Sequence, residues 1–464
     1  MRRERDSLGE REIDEGAYYG IHTVRARENF PVSGEPIHPA LVEALAAVKK
    51  AAALTNGEIG ALDGRIAGAI ATACDEILAG ALRDQFVTDR LQGGAGTSAH
   101  MNANEVIAAR AAELLGGRRG DRSLVHPLDQ VNLHQSTNDV FPTAVRIAAI
   151  RLLKPVSERL ADLQSALQEK EAEFASVLKV GRTQLQDAVP VTLGQEFGAW
   201  AQAVARDRWR LYKAEERLRQ INLGGTAVGT GLNAPRAYIY GVVEQLRGIT
   251  GLGLARAEYL MDPTQNADVF VEVSGLLKAC AVNLTKIAGD LRLLSSGPFA
   301  GLGEIRLPAV QAGSSIMPGK VNPVIPEMIH QVAFRIMGED LTITLAAGAG
   351  QLELNPFLPL IAASLFDMMD LLARALPILT ERCVRGIVAD EGRCTERVEG
   401  SAALATVLTG FLGHEGAAEV ARACRETGKT VRRIVTERGL MDPEELEALL
   451  RPERLTAPGA GTAG

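Results

Sequence analysis

The chain predicts a mainly all-α subunit in three regions, with a central bundle of long helices, and three observations predict it. Hydrophobic residues make up 46% of the composition but aromatics only 4%, so the interior is built from Ala, Leu, Val and Ile, which suits closely packed helices. Apolar residues recur three and four positions apart over long stretches, the mark of amphipathic helices. At 464 residues the chain exceeds the size at which one core usually divides, so two or three regions are expected.

Residues 1–139 mix short segments with loops such as Gly116-Gly-Arg-Arg-Gly120 and predict a first, partly helical domain with short helices. From Pro155 the pattern changes: Val156, Leu160, Leu163, Leu167, Phe174 and Leu178 form the stripe of a long helix. After Asp262 the spacing is more regular still. Phe270, Val273, Leu277, Cys280, Leu284, Ile287, Leu291 and Leu294 alternate three and four residues apart, a coiled-coil-like seam. A further helix is predicted after Asn322, which can cap it with Pro323 in the first turn, turning Ile325, Ile329, Val332 and Ile336 inward. These helices define a central domain over residues 140–391. A small carboxy-terminal domain over 392–464 has helical patterns around Ala417 to Cys424 and Pro443 to Leu450, then a tail from Thr456 to Gly464 expected to fray. One chain offers too few faces to bury so many stripes, so oligomerisation through a helical bundle is predicted.

A net charge of −7 with Lys and Arg spread along the chain provides no basic surface for nucleic acid. The charged opening Met-Arg-Arg-Glu-Arg-Asp leads into no apolar segment, and no later run reaches membrane-spanning length, so a cytoplasmic protein is expected. Five cysteines without a Cys-x-x-Cys pair predict free thiols, and seven scattered histidines imply no protein-bound metal.

Polar residues concentrate in four loops. Gly313-Ser-Ser-Ile-Met-Pro-Gly-Lys-Val-Asn-Pro323 combines two glycines, two serines, Lys320 and Asn322 in a stretch without apolar period. Its glycines let main-chain N–H groups approach a ligand and its lysine supplies positive charge, so an anion is the natural guest. Gly93-Gly-Ala-Gly-Thr-Ser98 and Gln135-Ser-Thr-Asn-Asp139 each precede a predicted helix, whose exposed N–H groups favour a carboxylate. Gly181-Arg-Thr-Gln-Leu-Gln-Asp187 adds hydroxyl and amide donors in a break between helices. Each has a plain alternative: Thr97, Ser98 and Ser136 to Asp139 suit helix capping, Thr183 and Gln184 suit a loop, and Lys320 alone suits a solvated surface. Their coincidence in one chain favours a site for a small dianion.

These segments are very similar to the signature stretches of the aspartase/fumarase superfamily, and the resemblance runs from Tyr18-Tyr-Gly-Ile-His-Thr-Val-Arg25 to the carboxy-terminal helices. Gly93 to Ser98, Gln135 to Asp139, Gly181 to Pro190 and Asn322-Pro-Val-Ile-Pro-Glu327 resemble the aspartase forms rather than the fumarase ones. The resemblance implies a homotetramer with each active site assembled from three subunits. It also implies a reversible conversion of L-aspartate to fumarate and ammonia without cofactor. Ser314 is then the general base. Thr97, Ser136 and Thr137 hold substrate oxygens, Asn138 and Gln184 contact amino or carboxylate groups, Thr183, Lys320 and Asn322 bind the α-carboxylate, and Ser315 lines the closed loop. The departures are His100, where the family usually has Asn, His134 before Gln135, Thr409, and Gln184 in place of the histidine of fumarases. A fumarase-type hydratase, a lyase for a modified aspartate and a catalytically silent helical scaffold are the alternatives.

Overall fold

The computed structural model describes residues 1–457; the expected fraying beyond Ala457 lies outside them. The described chain is mainly helical, as the sequence predicts. It opens with an antiparallel hairpin, β1 (Arg2–Asp6) and β2 (Gly9–Ile13). Helices α1 (Ile21–Asn29), α2 (Pro39–Glu58), α3 (Gly64–Leu78), α4 (Thr97–Leu114) and α5 (Thr137–Glu173) follow. A second hairpin, β3 (Leu178–Thr183) and β4 (Gln186–Thr192), leads into α6 (Leu193–Leu218). Next come α7 (Arg236–Thr250), the single turn α8 (Asp262–Gln265), α9 (Asp268–Leu294), α10 (Val324–Gly348) and α11 (Leu358–Arg382). The chain closes with α12 (Glu391–Gly400), α13 (Thr409–Thr427), α14 (Val431–Arg438), α15 (Pro443–Leu449) and α16 (Pro452–Leu455).

The chain packs into two compact units, neither contiguous in sequence. The first comprises Met1–Ser157, Trp209–Ala279 and Phe334–Ala373. The second comprises Glu158–Arg208, Cys280–Ala333 and the segment from Arg374 onward.

In the first unit, α2 packs on α3, α4 and α7. Asp63 caps α3 by accepting the N–H groups of Arg65 and Ile66, and His38 Nδ1 accepts that of Ala40 at the start of α2. The helices expected to be short here are not: α2 has 20 residues, α3 has 15 and α4 has 18. In α2 and α4 the reason is burial on every side. In α2, Leu41, Val42, Ala44 to Lys49, Ala51 to Ala53, Thr55 and Asn56 are all buried, and such a helix shows no one-sided stripe. The same effect hides the first half of α5, which begins at Thr137 rather than near Pro155. Pro142 brings no N–H to that helix, and the Asn138 carbonyl four residues earlier instead accepts a hydrogen bond from Asn222 Nδ2 at 2.9 Å.

The predicted seam of α9 is buried throughout, from Phe270 to Leu294. On α10, Ile329 and Ile336 are buried as expected, whereas Ile325 and Val332 are half-buried and Ala333 and Ile343 complete the inward face. The helix starts at Val324, and the Asn322 side chain before it donates its amide to the Gly313 carbonyl.

In the second unit the segment around 181–187, expected to be a plain break, is the tip of the β3–β4 hairpin. Its turn residues Gln184 and Leu185 both have positive φ, 52° and 61°, the requirement of a two-residue hairpin turn. The carboxy-terminal helices close their own core around Val398, Leu408, Val420, Val431 and Ile434. All five cysteines are buried. Among the described residues no helix is long and apolar enough to cross a membrane.

Candidate active site

Four of the predicted residues lie in the first unit, at the starts of α4 and α5. Gly96 has φ 95°, and a Cβ there would stand 2.5 Å from the Phe141 ring, so glycine is what allows α4 to begin against α5. Thr97 donates its hydroxyl to the Gly94 carbonyl at 2.6 Å. Ser136 caps α5: its Oγ accepts the Asn138 N–H at 3.2 Å, and Asp139 Oδ1 accepts the Ser136 N–H at 2.9 Å. The other oxygen of Asp139 accepts the N–H groups of Gly224 and Thr226, both at 3.0 Å. Asn138 Nδ2 donates to the Ala227 carbonyl at 2.7 Å. Asp139 therefore ties the helix start to the 222–231 loop. Burial pushes its carboxyl up to about 6, against those three N–H donors.

Thr137 leads to a group of side chains that the sequence does not connect. Its Oγ1 lies 2.7 Å from His100 Nδ1, and His100 Nε2 lies 2.5 Å from Lys49 Nζ. Lys49 also reaches Asn132 Oδ1 at 3.0 Å and Gln135 Oε1 at 2.8 Å. Lys49 and His100 are fully buried, and burial pushes both far toward their neutral forms. Nothing in the sequence singles out Lys49, which adjoins Lys50 on a helix that also carries Glu43 and Glu58; His100 was visible as a departure without a role.

The other six predicted residues lie in the second unit. Thr183 and Gln184 are exposed at the tip of the β3–β4 hairpin. The adjoining Arg182 grips Glu304 with both guanidinium ends, at 3.0 and 2.5 Å. Glu304 is fully buried and also lies 3.4 Å from Lys179 Nζ, which bonds Glu196 at 2.8 Å. Ser401 donates to Asp187 at 2.8 Å on the opposite strand. The exposed tip thus stands on a buried ionic base.

The 313–322 loop closes on itself. Gly313 N–H donates to the Lys320 carbonyl at 2.8 Å, and Asn322 Nδ2 donates to the Gly313 carbonyl at 2.7 Å. Ser314 is half-buried at this neck, and its Oγ accepts the N–H groups of Ile316 at 3.2 Å and Met317 at 2.9 Å. Ser315 and Lys320 are exposed on the same loop. Two N–H donors on one hydroxyl oxygen favour negative charge there, the condition a serine needs to act as a base.

The chain matches the Lyase family over residues 9–338 and the fumarase C carboxy-terminal family over residues 404–457. It belongs to the lyase family. An aspartate ammonia-lyase of Bacillus sp. is 50% identical over 459 residues, covering 99% of this chain and 98% of that one. The aspartate ammonia-lyase of Helicobacter pylori strain J99 is 45% identical, with 99% of both chains covered. Among solved structures, a cobalt-bound fumarate lyase:delta crystallin from Brucella melitensis superposes with a TM-score of 0.96 at 52% identity, over 98% of this chain and all of that one. A class II fumarase from Schistosoma mansoni superposes with a TM-score of 0.95 at 35% identity, over 99% of each. Within the lyase family the helix starts of the first unit and the glycine-closed loop of the second are thus carried on a common fold.

Proposed function

We propose that the protein is an aspartate ammonia-lyase, converting L-aspartate reversibly to fumarate and ammonia. The observation that carries this reading is Ser314, whose oxygen accepts two backbone N–H groups inside a loop closed by Gly313 and Asn322. A proton beside an ionised carboxylate is very weakly acidic, since its loss creates a doubly charged aci-carboxylate. Ser314, as alkoxide, takes that proton from the carbon next to the β-carboxylate. The helix starts carrying Thr97, Ser136 and Thr137 hold the carboxylate on which charge develops, with N–H groups that need no reorganisation. Asn138 and Gln184 contact the amino or carboxylate groups, and Thr183, Lys320 and Asn322 bind the α-carboxylate. Closure of the loop with Ser315 excludes water, and loss of ammonia completes the elimination.

In this reading the subunit is organised as the regions 1–139, 140–391 and 392–464. It assembles as a homotetramer whose copies pool their loops into shared sites. Support for assembly comes from exposed apolar side chains on long helices, including Trp209, Tyr212, Phe334, Leu341 and Leu345. Purified protein given L-aspartate is expected to release ammonia and fumarate in equal amounts. Ammonia without fumarate would contradict an elimination.

A further inference from the structure

Lys49 faces three polar neighbours, and two of them are acceptors fixed in direction. Gln135 Nε2 donates to the Val131 and Leu133 carbonyls, both at 3.1 Å, so Oε1 must point at Lys49. Asn132 Nδ2 donates to the Gln135 carbonyl at 3.2 Å, so Oδ1 points there as well. The third neighbour, His100 Nε2, can either accept or donate, and the choice belongs to the proton count on Lys49. As an ammonium, Lys49 gives one N–H to each of the three. Nε2 is then an acceptor, the ring carries its hydrogen on Nδ1, and Nδ1–H donates to Thr137 Oγ1. As an amine, Lys49 has two N–H groups for the two amides and a lone pair for His100. Nε2–H then donates to Nζ, and Nδ1 accepts from the Thr137 hydroxyl. Between the two states one proton passes to solvent and the imidazole changes tautomer while staying neutral.

We propose that Lys49 and His100 are positioning residues that set whether Thr137 offers its hydroxyl hydrogen or its oxygen lone pairs to a substrate carboxylate. In the ammonium state the Thr137 hydrogen is free to turn outward and donate to an anion. In the amine state it is committed to His100, and the outward lone pairs repel a carboxylate. The proposal rests on the dicarboxylate-site reading above and deepens it. The other ionisable groups facing the pair are Asp139 from α5 and Cys74 from α3. Burial holds the Cys74 thiol protonated, and Asp139 is ionised above about pH 6. Once Asp139 is ionised, Lys49 is therefore the group of this cluster that changes charge, because burial holds it well below the ordinary lysine range.

The test uses fumarate itself, a dianion that does not titrate where Asp139 is ionised, and measures its Kd calorimetrically at several pH values above about 6. In the wild type, Kd is expected to rise about tenfold per pH unit above the Lys49 pKa. His100→Leu, which neither accepts from Lys49 nor donates to Thr137, weakens binding about tenfold or more at neutral pH and removes the pH slope. His100→Asn restores most of that affinity, because its amide accepts from Lys49 and donates to Thr137, and it flattens the slope because the amide has no tautomer to exchange. In a Thr137→Val background, His100→Leu has no further effect. An unchanged pH slope in His100→Asn, or additive losses in the double variant, would overturn the relay while leaving the dicarboxylate reading intact. Absence of fumarate binding by the wild type at every pH would overturn both.

Discussion

Asn322 donates its side-chain amide to the Gly313 carbonyl at 2.7 Å, pinning the two ends of the loop that carries Ser314. The neck leaves no room for a side chain at its first residue. A Cβ on Gly313 would stand 2.6 Å from the Lys320 carbonyl oxygen and 2.8 Å from the Asn322 nitrogen. Gly313→Ala is therefore expected to open the neck, displace Ser314 and lower kcat about a hundredfold. Its melting temperature stays close to wild type, since the loop contributes little buried core. Steady-state kinetics beside a thermal melt checks this, and a wild-type kcat would show that the neck does not position the base.

Removal of the base itself is the companion prediction. Ser314→Ala is expected to lower kcat by about 10²–10⁴ while fumarate still binds, because the carboxylate-holding residues are untouched. Loss of fumarate affinity equal to the loss of rate would make Ser314 a binding group instead.

The hairpin carrying Thr183 and Gln184 depends on a buried charge. Arg182→Met leaves Glu304 buried with Lys179 as its remaining cationic partner at 3.4 Å, and breaking a buried pair in this way costs about 3–5 kcal/mol. Urea unfolding is expected to show that loss. The double variant Arg182→Met with Glu304→Leu is expected to recover part of it, since the buried carboxylate that lost its two-pronged partner is gone as well.

Acid stability is expected to depend on the amino-terminal hairpin. Arg25 holds Asp6 through two hydrogen bonds at 2.8 Å and brings its carboxyl down to about 2 from 3.8. The folded pKa lies below the unfolded one, so this contribution is fully present above about pH 4 and is lost as pH falls toward 2. The urea midpoints of wild type and Asp6→Asn are expected to differ above pH 4 and to converge as the pH falls to about 2. A constant difference across that range would remove the ion pair from the account.

The long seam of α9 and the irregular 313–323 loop were legible in the sequence. One rests on a strict three-and-four spacing, the other on glycines beside serines, lysine and asparagine. Helices α2 and α4 and the first half of α5 were not, because burial on all sides erases the one-faced pattern on which periodicity depends. The β3–β4 turn escaped because Gln184 and Leu185 adopt positive φ without the usual glycine or asparagine. The capping roles of Ser136 and Asp139 were visible as alternatives, and the structure assigns them. Lys49 could not be read at all: its partners His100, Asn132 and Gln135 lie 51, 83 and 86 residues away. A buried lysine acquires meaning only from what surrounds it.

The most direct measurement is a continuous record of fumarate absorbance with purified protein given L-aspartate in one cuvette and L-malate in another. The account predicts fumarate from aspartate alone, in wild type and, for the malate cuvette, also no efficient turnover after Gln184→His. Fumarate from malate in the wild type would contradict the ammonia-lyase reading and place the protein with the hydratases, and silence in both cuvettes would contradict the choice of L-aspartate as substrate.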